Sequence, residues 1–218
     1  MKNIFAFFKK QGLFIIVCSI ISIASSGCVK KLKSAWAVDQ KIQLMHSPAV
    51  AQKTFETPPS EVFLQVRDER PYVKNKSKKP YYVGHFRGGY GNILDSSTEG
   101  KISLADRFKE DIQKELLSTG FKVSELNGRR QLSVDILDYN FDTNSFSGNA
   151  WNWYEINVKV LDTNGKILAE NVIKDKQLIK GSSLWGPVDA VKRDMPKIYS
   201  KIVTDIVQND VILQALSK

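Results

Sequence analysis

Cys28 is the residue whose neighbours give it a definite chemistry. It follows Ser25, Ser26 and Gly27, at the end of a leader in which Lys2, Lys9 and Lys10 precede a mostly apolar run from Leu13 to Ala24. Small residues before a cysteine in that setting form a lipobox: cleavage before Cys28 would free its amino group, and its thiol would take acyl chains. The apolar run is about a dozen residues, about 18 Å as a helix, short of a roughly 30 Å hydrocarbon core, so the leader reads as removed. Three places before the cysteine stands Ser25 instead of an aliphatic residue. Two alternatives therefore stay open, an ordinary signal peptide cut between Ala24 and Gly27 and an uncleaved signal anchor. Cys18, preceded by Val17, reads as an apolar residue of the leader.

The other chemistries are poorly supplied. With Cys18 in the leader and Cys28 as lipid acceptor, the mature chain has no thiol left for a disulfide, a nucleophile or a metal. His46 and His85 have no companion ligand at metal spacing, so no metal or cofactor is expected. Asp135, Asp138 and Asp142 are close in sequence, but on a regular strand they point to different faces. Asp162, Asn164 and Gly165 resemble the front of a calcium loop without its remaining ligands, and read as a hairpin turn. Arg87-Gly88-Gly89-Tyr90-Gly91 lacks the Gly-Lys-Ser/Thr of a phosphate loop. No catalytic residue is selected. An envelope hydrolase would need two convergent acids or a serine paired with His85 in a pocket.

Charge narrows the partners. The net charge of +9 falls to +6 once the three leader lysines are removed, and the densest patch is Lys74, Lys76, Lys78 and Lys79. An exported chain meets anionic lipid headgroups and lipopolysaccharide phosphates instead of nucleic acid, and a basic residue near such a surface contributes about 1 kcal/mol. The plain alternative is a solvated loop. Trp151 and Trp153 fall on the strand face opposite Tyr154, Ile156, Val158 and Val160, so they either pack under a helix or form an exposed aromatic ledge. With the four lysines they are the candidate partner surface. Trp185 is a third tryptophan of interest.

Three segments are expected: a signal peptide over 1–27, a lipidated N-terminus and flexible tether over 28–59 that ends in Thr57-Pro58-Pro59, and one periplasmic domain over 60–218. Val62, Leu64 and Val66 alternate as in a half-buried strand. Residues 72–100 mix aromatics with glycines, as in a long hairpin or loop. Ser103 is placed to cap a helix ending at Gly120, with Leu104, Phe108, Ile112 and Leu116 as its buried stripe. In the strand over 131–141 the apolar set changes parity, which predicts a bulge near Leu137. Strands over 151–161 and 166–180 follow. Pro187 opens a second helix, in which Pro196 predicts a kink, and a last short turn spans 211–216. The fold class expected is α+β, a two-layer sandwich in which an antiparallel meander sheet is covered by two amphipathic helices.

This order resembles the YajG-like bacterial lipoprotein family, on a lipobox cysteine, an Asp-x-Arg step after the first strand (Asp68 to Arg70), Gly120-Phe121-Lys122-Val123 after the helix, a hairpin through Asn-Gly and a C-terminal amphipathic helix with a helical tail. The likeness covers about residues 60 to 216. The chain departs from the pattern at Ser25, in the basic Gly/aromatic insertion from Tyr72 to Gly100, and in the Trp151/Trp153 pair. The resemblance implies a lipid-anchored domain facing the periplasm. Val29 after the cysteine, in place of aspartate, is similar to the pattern of chains passed to the outer membrane. The function expected is a non-catalytic binding or scaffolding lipoprotein, with an accessory subunit of a lipid or lipopolysaccharide transport machine as the alternative.

Overall fold

The strand signals at 62–66 and 131–141 become neighbours, and they run parallel. The structure, a computed structural model, describes residues 40–48, 61–88, 92–144, 147–181 and 186–218. Ser25, Ser26, Gly27, Cys28 and Trp185 lie outside the described residues. An 8-stranded sheet contains β1 (Gln40–Ile42), β2 (Glu61–Asp68), β3 (Tyr82–Arg87), β4 (Ile93–Thr98), β5 (Lys122–Ser124), β6 (Arg130–Thr143), β7 (Ala150–Leu161) and β8 (Ile167–Ile179). The helices are α1 (Pro71–Lys74), α2 (Leu104–Ser118), α3 (Pro187–Val207) and α4 (Asp210–Ser217).

β6 is the spine. One edge pairs antiparallel with β7 from Gln131↔Leu161 to Thr143↔Ala150, and β7 pairs antiparallel with β8. The other edge is shared: β2 runs parallel along the first half, and β3 meets it beyond, at His85↔Asp142. β5 adds parallel to β2, while β4 and then β1 extend from β3. The sheet is thus mixed, and only β6, β7 and β8 form the expected antiparallel meander. α2 carries the chain back across the sheet between β2 and the β5–β6 region, so these strands pair in parallel, and such a crossover leaves no trace in local periodicity. Four α-helices are present among the described residues where two were expected to cover the sheet; α1 was read as loop, and α4 is the short helical tail that follows the amphipathic helix.

Several local readings hold for the stated reasons. The Ser103 hydroxyl accepts from the Asp106 amide at the start of α2. At its end the Gly120 amide donates to Leu117 and the Phe121 amide to Leu116, with Gly120 at φ +92°, the left-handed stop that favours glycine. Leu104, Phe108, Ile112 and Leu116 are fully buried. α2, α3 and α4 cover one face of the sheet, and Phe108 joins Tyr139 of β6 to Tyr199 of α3 by ring contacts at 6.1 and 4.8 Å. The bulge falls between Ile136 and Asp138, as the parity change requires. The 162–165 turn differs: only Gly165 takes positive φ, because the Asp162 carboxylate accepts from the Asn164 and Lys166 amides and holds a longer bulged loop.

The tether is corrected over part of its length. Residues 40–48 belong to the domain: β1 pairs in parallel with β4, Ile42 and Leu44 enter the core, and the His46 side chain is buried. Three paired residues are too few for a period to show.

Candidate open-face binding site

The bulge at Leu137 decides the site. Asp135 lies before it and Asp138 and Asp142 after it, so the single extra residue brings all three carboxylates to the sheet face opposite the helices, instead of to different faces. On this open face the register builds a row across five strands: Asp95 of β4, His85 of β3, Asp142 of β6, Trp151 of β7 and Leu178 of β8. Beside it runs Asn140, Trp153 and Lys176.

The Trp pair divides. Trp151 is 45% exposed, with Lys176 Nζ 5.5 Å from its ring centroid, a cation–π contact. Trp153 is half-buried, and its indole N–H donates to Asp138 Oδ2 at 2.9 Å. Neither packs under a helix. Asp138 also accepts from the Tyr72 hydroxyl at 3.0 Å and from the Tyr139 amide at 2.8 Å, so it joins the tryptophan strand to the start of the basic insertion.

The four lysines are not equivalent. Lys74 contacts Glu69 at 2.5 Å. Lys78 bonds both oxygens of Asp95 at 2.6 Å and lies 4.8 Å from the Tyr82 ring centroid. Lys76 and Lys79 project into solvent, Lys76 from a left-handed backbone at φ +63° that ends α1. The patch is therefore half neutralised by its own acids, and the sequence overstates its field. Lys78 and Tyr82 nevertheless bring the loop onto the open face. The Tyr82 hydroxyl donates to Asn140 Oδ1 at 3.2 Å and lies 3.1 Å from His85 Nδ1, and Tyr72 meets the Tyr82 ring edge-on at 5.6 Å.

His85 Nε2 stands 3.0 Å from Asp142 Oδ1 without the alignment of a hydrogen bond, while Arg87 holds Asp142 through two bonds of 2.7 and 2.6 Å. Burial pushes the His85 pKa below its ordinary 6.5, against the pull of Asp142 and with the help of Arg87 and Lys78. For Asp142 burial acts upward, but the Arg87 bond together with the charges of His85 and Arg87 leaves its pKa lowered. The signs then separate. The unfolded chain takes up a proton at His85 near pH 6.5 that the folded chain resists, so stability falls as pH drops from 6.5 through the lower folded value. The Asp142 contribution persists above its unfolded value and is lost only as pH falls through its depressed folded one. An NMR titration of the ring protons should give a His85 midpoint below 6.5, and His85→Gln should flatten the stability slope just below that pH; a midpoint at or above 6.5 would refute the reading.

The serine–histidine–acid arrangement in the described structure involves His46, not His85. His46 Nε2 donates to Glu115 Oε2 at 2.9 Å, its Nδ1 pairs with Ser200 Oγ at 3.0 Å, and Gln208 donates to Glu115 Oε1 at 2.8 Å. The side chains of His46 and Glu115 are fully buried. Ser200 sits inside α3, where the backbone amides are committed to helical bonds and are not available to a developing oxyanion. The cluster acts as a clamp that docks residues 40–48 on α2 and α3. Histidine in a segment read as tether gave no signal of this, since its partners are 69 and 154 residues away. Among the described residues no group of three or more His, Cys, Asp or Glu is placed to hold a metal ion, and no helix is long and apolar enough to cross a membrane.

No family model matches the chain, and no curated protein matches it. Solved structures similar to it include a Xanthomonas campestris protein assigned to the family model DUF330, with 10% identity over 80% of this chain and 97% of that one and a TM-score of 0.47. A minor lipoprotein from Acinetobacter baumannii shares 9% identity over 68% of this chain and 91% of that one, at a TM-score of 0.37. Lipoprotein GNA1162 from Neisseria meningitidis shares 10% over 66% and 99%, at 0.28. Similarities at this distance carry no functional conclusion.

Proposed function

We propose that the chain is a non-catalytic, lipid-anchored protein of the cell envelope, attached through Cys28 to the outer membrane and facing the periplasm, whose open sheet face binds a partner. One observation supports the binding role. The insertion at 72–100 and the Trp151/Trp153 pair are far apart in sequence, yet β3, β6 and β7 place them in one cross-strand row on a face that the helices leave uncovered. A solvent-facing tryptophan beside a cation is the residue pairing that binding surfaces favour as an anchor. The acyl chains would supply the anchor at about 0.8 kcal/mol per buried CH₂, and two or more chains make it durable.

The test is the intact mass of the native protein from separated inner and outer membranes, with Cys28→Ala as control, followed by photocrosslinking from position 151. A chain beginning at Cys28 with acyl mass in the outer-membrane fraction, and a crosslinked partner lost in Trp151→Ala, is expected. An unlipidated or uncleaved chain would overturn the anchor, and labelling of Ser200 by a fluorophosphonate would replace the binding role with a hydrolase.

The second reading, an accessory protein of a lipid or lipopolysaccharide transport machine, is favoured by the path Trp153, Asp138, Tyr72, which joins the tryptophan strand to the loop that carries the exposed Lys76 and Lys79. Lipopolysaccharide micelles that bind the chain, and bind Lys76→Glu/Lys79→Glu several-fold more weakly, would support it.

A further inference from the structure

An open groove of about 570 Å³, within the size range of small-ligand sites, lies between β8 and α3. It is on the opposite side of the sheet from Trp151: Asn171, Ile173 and Asp175 share the helix side of β8 with their register partners Val158, Ile156 and Tyr154 of β7. Tyr154 is only 4% exposed, yet its hydroxyl opens to the groove and has no hydrogen-bond partner among the described residues. The hydroxyls of Tyr72, Tyr82 and Tyr199, by contrast, are all bonded within the protein. Burial pushes the Tyr154 pKa up, against the pull of Lys201 and with the help of Asp175 and Asp205. The hydroxyl therefore stays protonated and is able both to donate and to accept.

The walls offer both kinds of group as well. The side chains of Asn171 and Thr204 make no hydrogen bond among the described residues, the Asp175 carboxylate accepts from the Lys176 amide alone, and Lys201 pairs with Asp205 one turn along α3. We propose that this groove binds a neutral saccharide, whose ring hydroxyls bridge Tyr154, Asp175 and Lys201. The inference rests neither on the lipid anchor nor on the partner of the open face.

The lining selects the ligand class. A wall made mainly of polar side chains gives an acyl chain little apolar surface to bury. Asp175 and Asp205 outnumber Lys201 by one charge, so an anion is repelled. A cation gains little, because the Lys201 ammonium already sits on Asp205 and acts on Asp175 as well. A neutral ring with several hydroxyls meets every group: it donates to the carboxylates and the Asn171 carbonyl, and accepts from Lys201 and from Tyr154. Ile173, half-buried between Asn171 and Asp175, supplies an apolar contact for the C–H face of the ring. Such a ligand completes at Tyr154 the bonds that the fold leaves to solvent.

The test is calorimetric titration of the full-length chain, solubilised in a detergent that carries no sugar, with maltotetraose and with the tetramer of N-acetylglucosamine. One or both should bind at a single site per chain. Tyr154→Phe keeps the ring and removes only the hydroxyl, and should weaken that binding at least about fivefold. Asp175→Ala, at an exposed position where the fold is not at risk, should weaken it at least about tenfold. Putrescine and tetragalacturonate probe the two charged classes. Failure of both neutral sugars to bind, binding insensitive to Tyr154→Phe and Asp175→Ala, or tighter binding of either charged probe would each overturn the proposal. Sugar binding lost in Trp151→Ala and retained in Tyr154→Phe would overturn it too, by placing the sugar on the open face.

Discussion

Arg70→Ala is expected to lower the unfolding free energy by about 4 kcal/mol, the cost of removing one partner from a buried charge pair. Arg70 is a charged residue with no exposed surface, held by two 2.7 Å bonds to Asp68 and by bonds of 2.6 Å to the Tyr82 carbonyl and 2.9 Å to the Pro80 carbonyl. It closes the base of the insertion onto the end of β2, and its loss leaves the Asp68 carboxylate and the Tyr82 carbonyl without their guanidinium donor, while the Pro80 carbonyl keeps the Leu104 amide. Arg70→Lys should recover only part, since one ammonium cannot reproduce the guanidinium fork that reaches three acceptors. Urea unfolding checks it: the midpoint should fall with little change in slope, and hydrogen exchange should rise first over residues 71–80. A loss under about 1 kcal/mol would mean that the staple contributes little net stability. The Asp-x-Arg step read as a family signature is, in this fold, a structural staple.

Gly84→Ala should cost at least about 3 kcal/mol, from overpacking added to backbone strain. A methyl group at Gly84 would stand 2.3 to 2.6 Å from ring atoms of Phe141, and the glycine sits at φ +153°. Phe141 cannot retreat easily, because it is fully buried with Phe86 packed edge-on at 5.0 Å. The register shift between Tyr82 and Gly84 sets the adjacent His85 opposite Asp142, so the same substitution should disturb the open-face row. Thermal melts would measure the loss, and Phe141→Leu in the Gly84→Ala background should recover part of it by vacating the space. An additive double mutant would show that the ring is not the obstacle.

What could be read in advance follows the range of the interactions. The α2 cap at Ser103, its stop at Gly120, the buried stripe of Leu104 to Leu116 and the bulge near Leu137 depend on residues within a few positions of one another. The bulge also contained the site, since a one-residue insertion necessarily carries Asp138, Asn140 and Asp142 to the face of Asp135, a consequence legible in the parity change. The exposure of Trp151 required the fold, because a strand pattern gives the two faces without saying which one the helices cover.

By itself the sequence determined the strands and helices with strong period, and the segregation of Trp151 and Trp153 from the core side of β7. The tertiary structure alone decided that β2 and β3 share one edge of β6 in parallel, that residues 40–48 dock through His46, Glu115 and Ser200, and that Asp95 cancels Lys78. Each of these joins groups far apart along the chain, and long-range pairing is selected by the packing of the whole core, not by the local propensity of either partner.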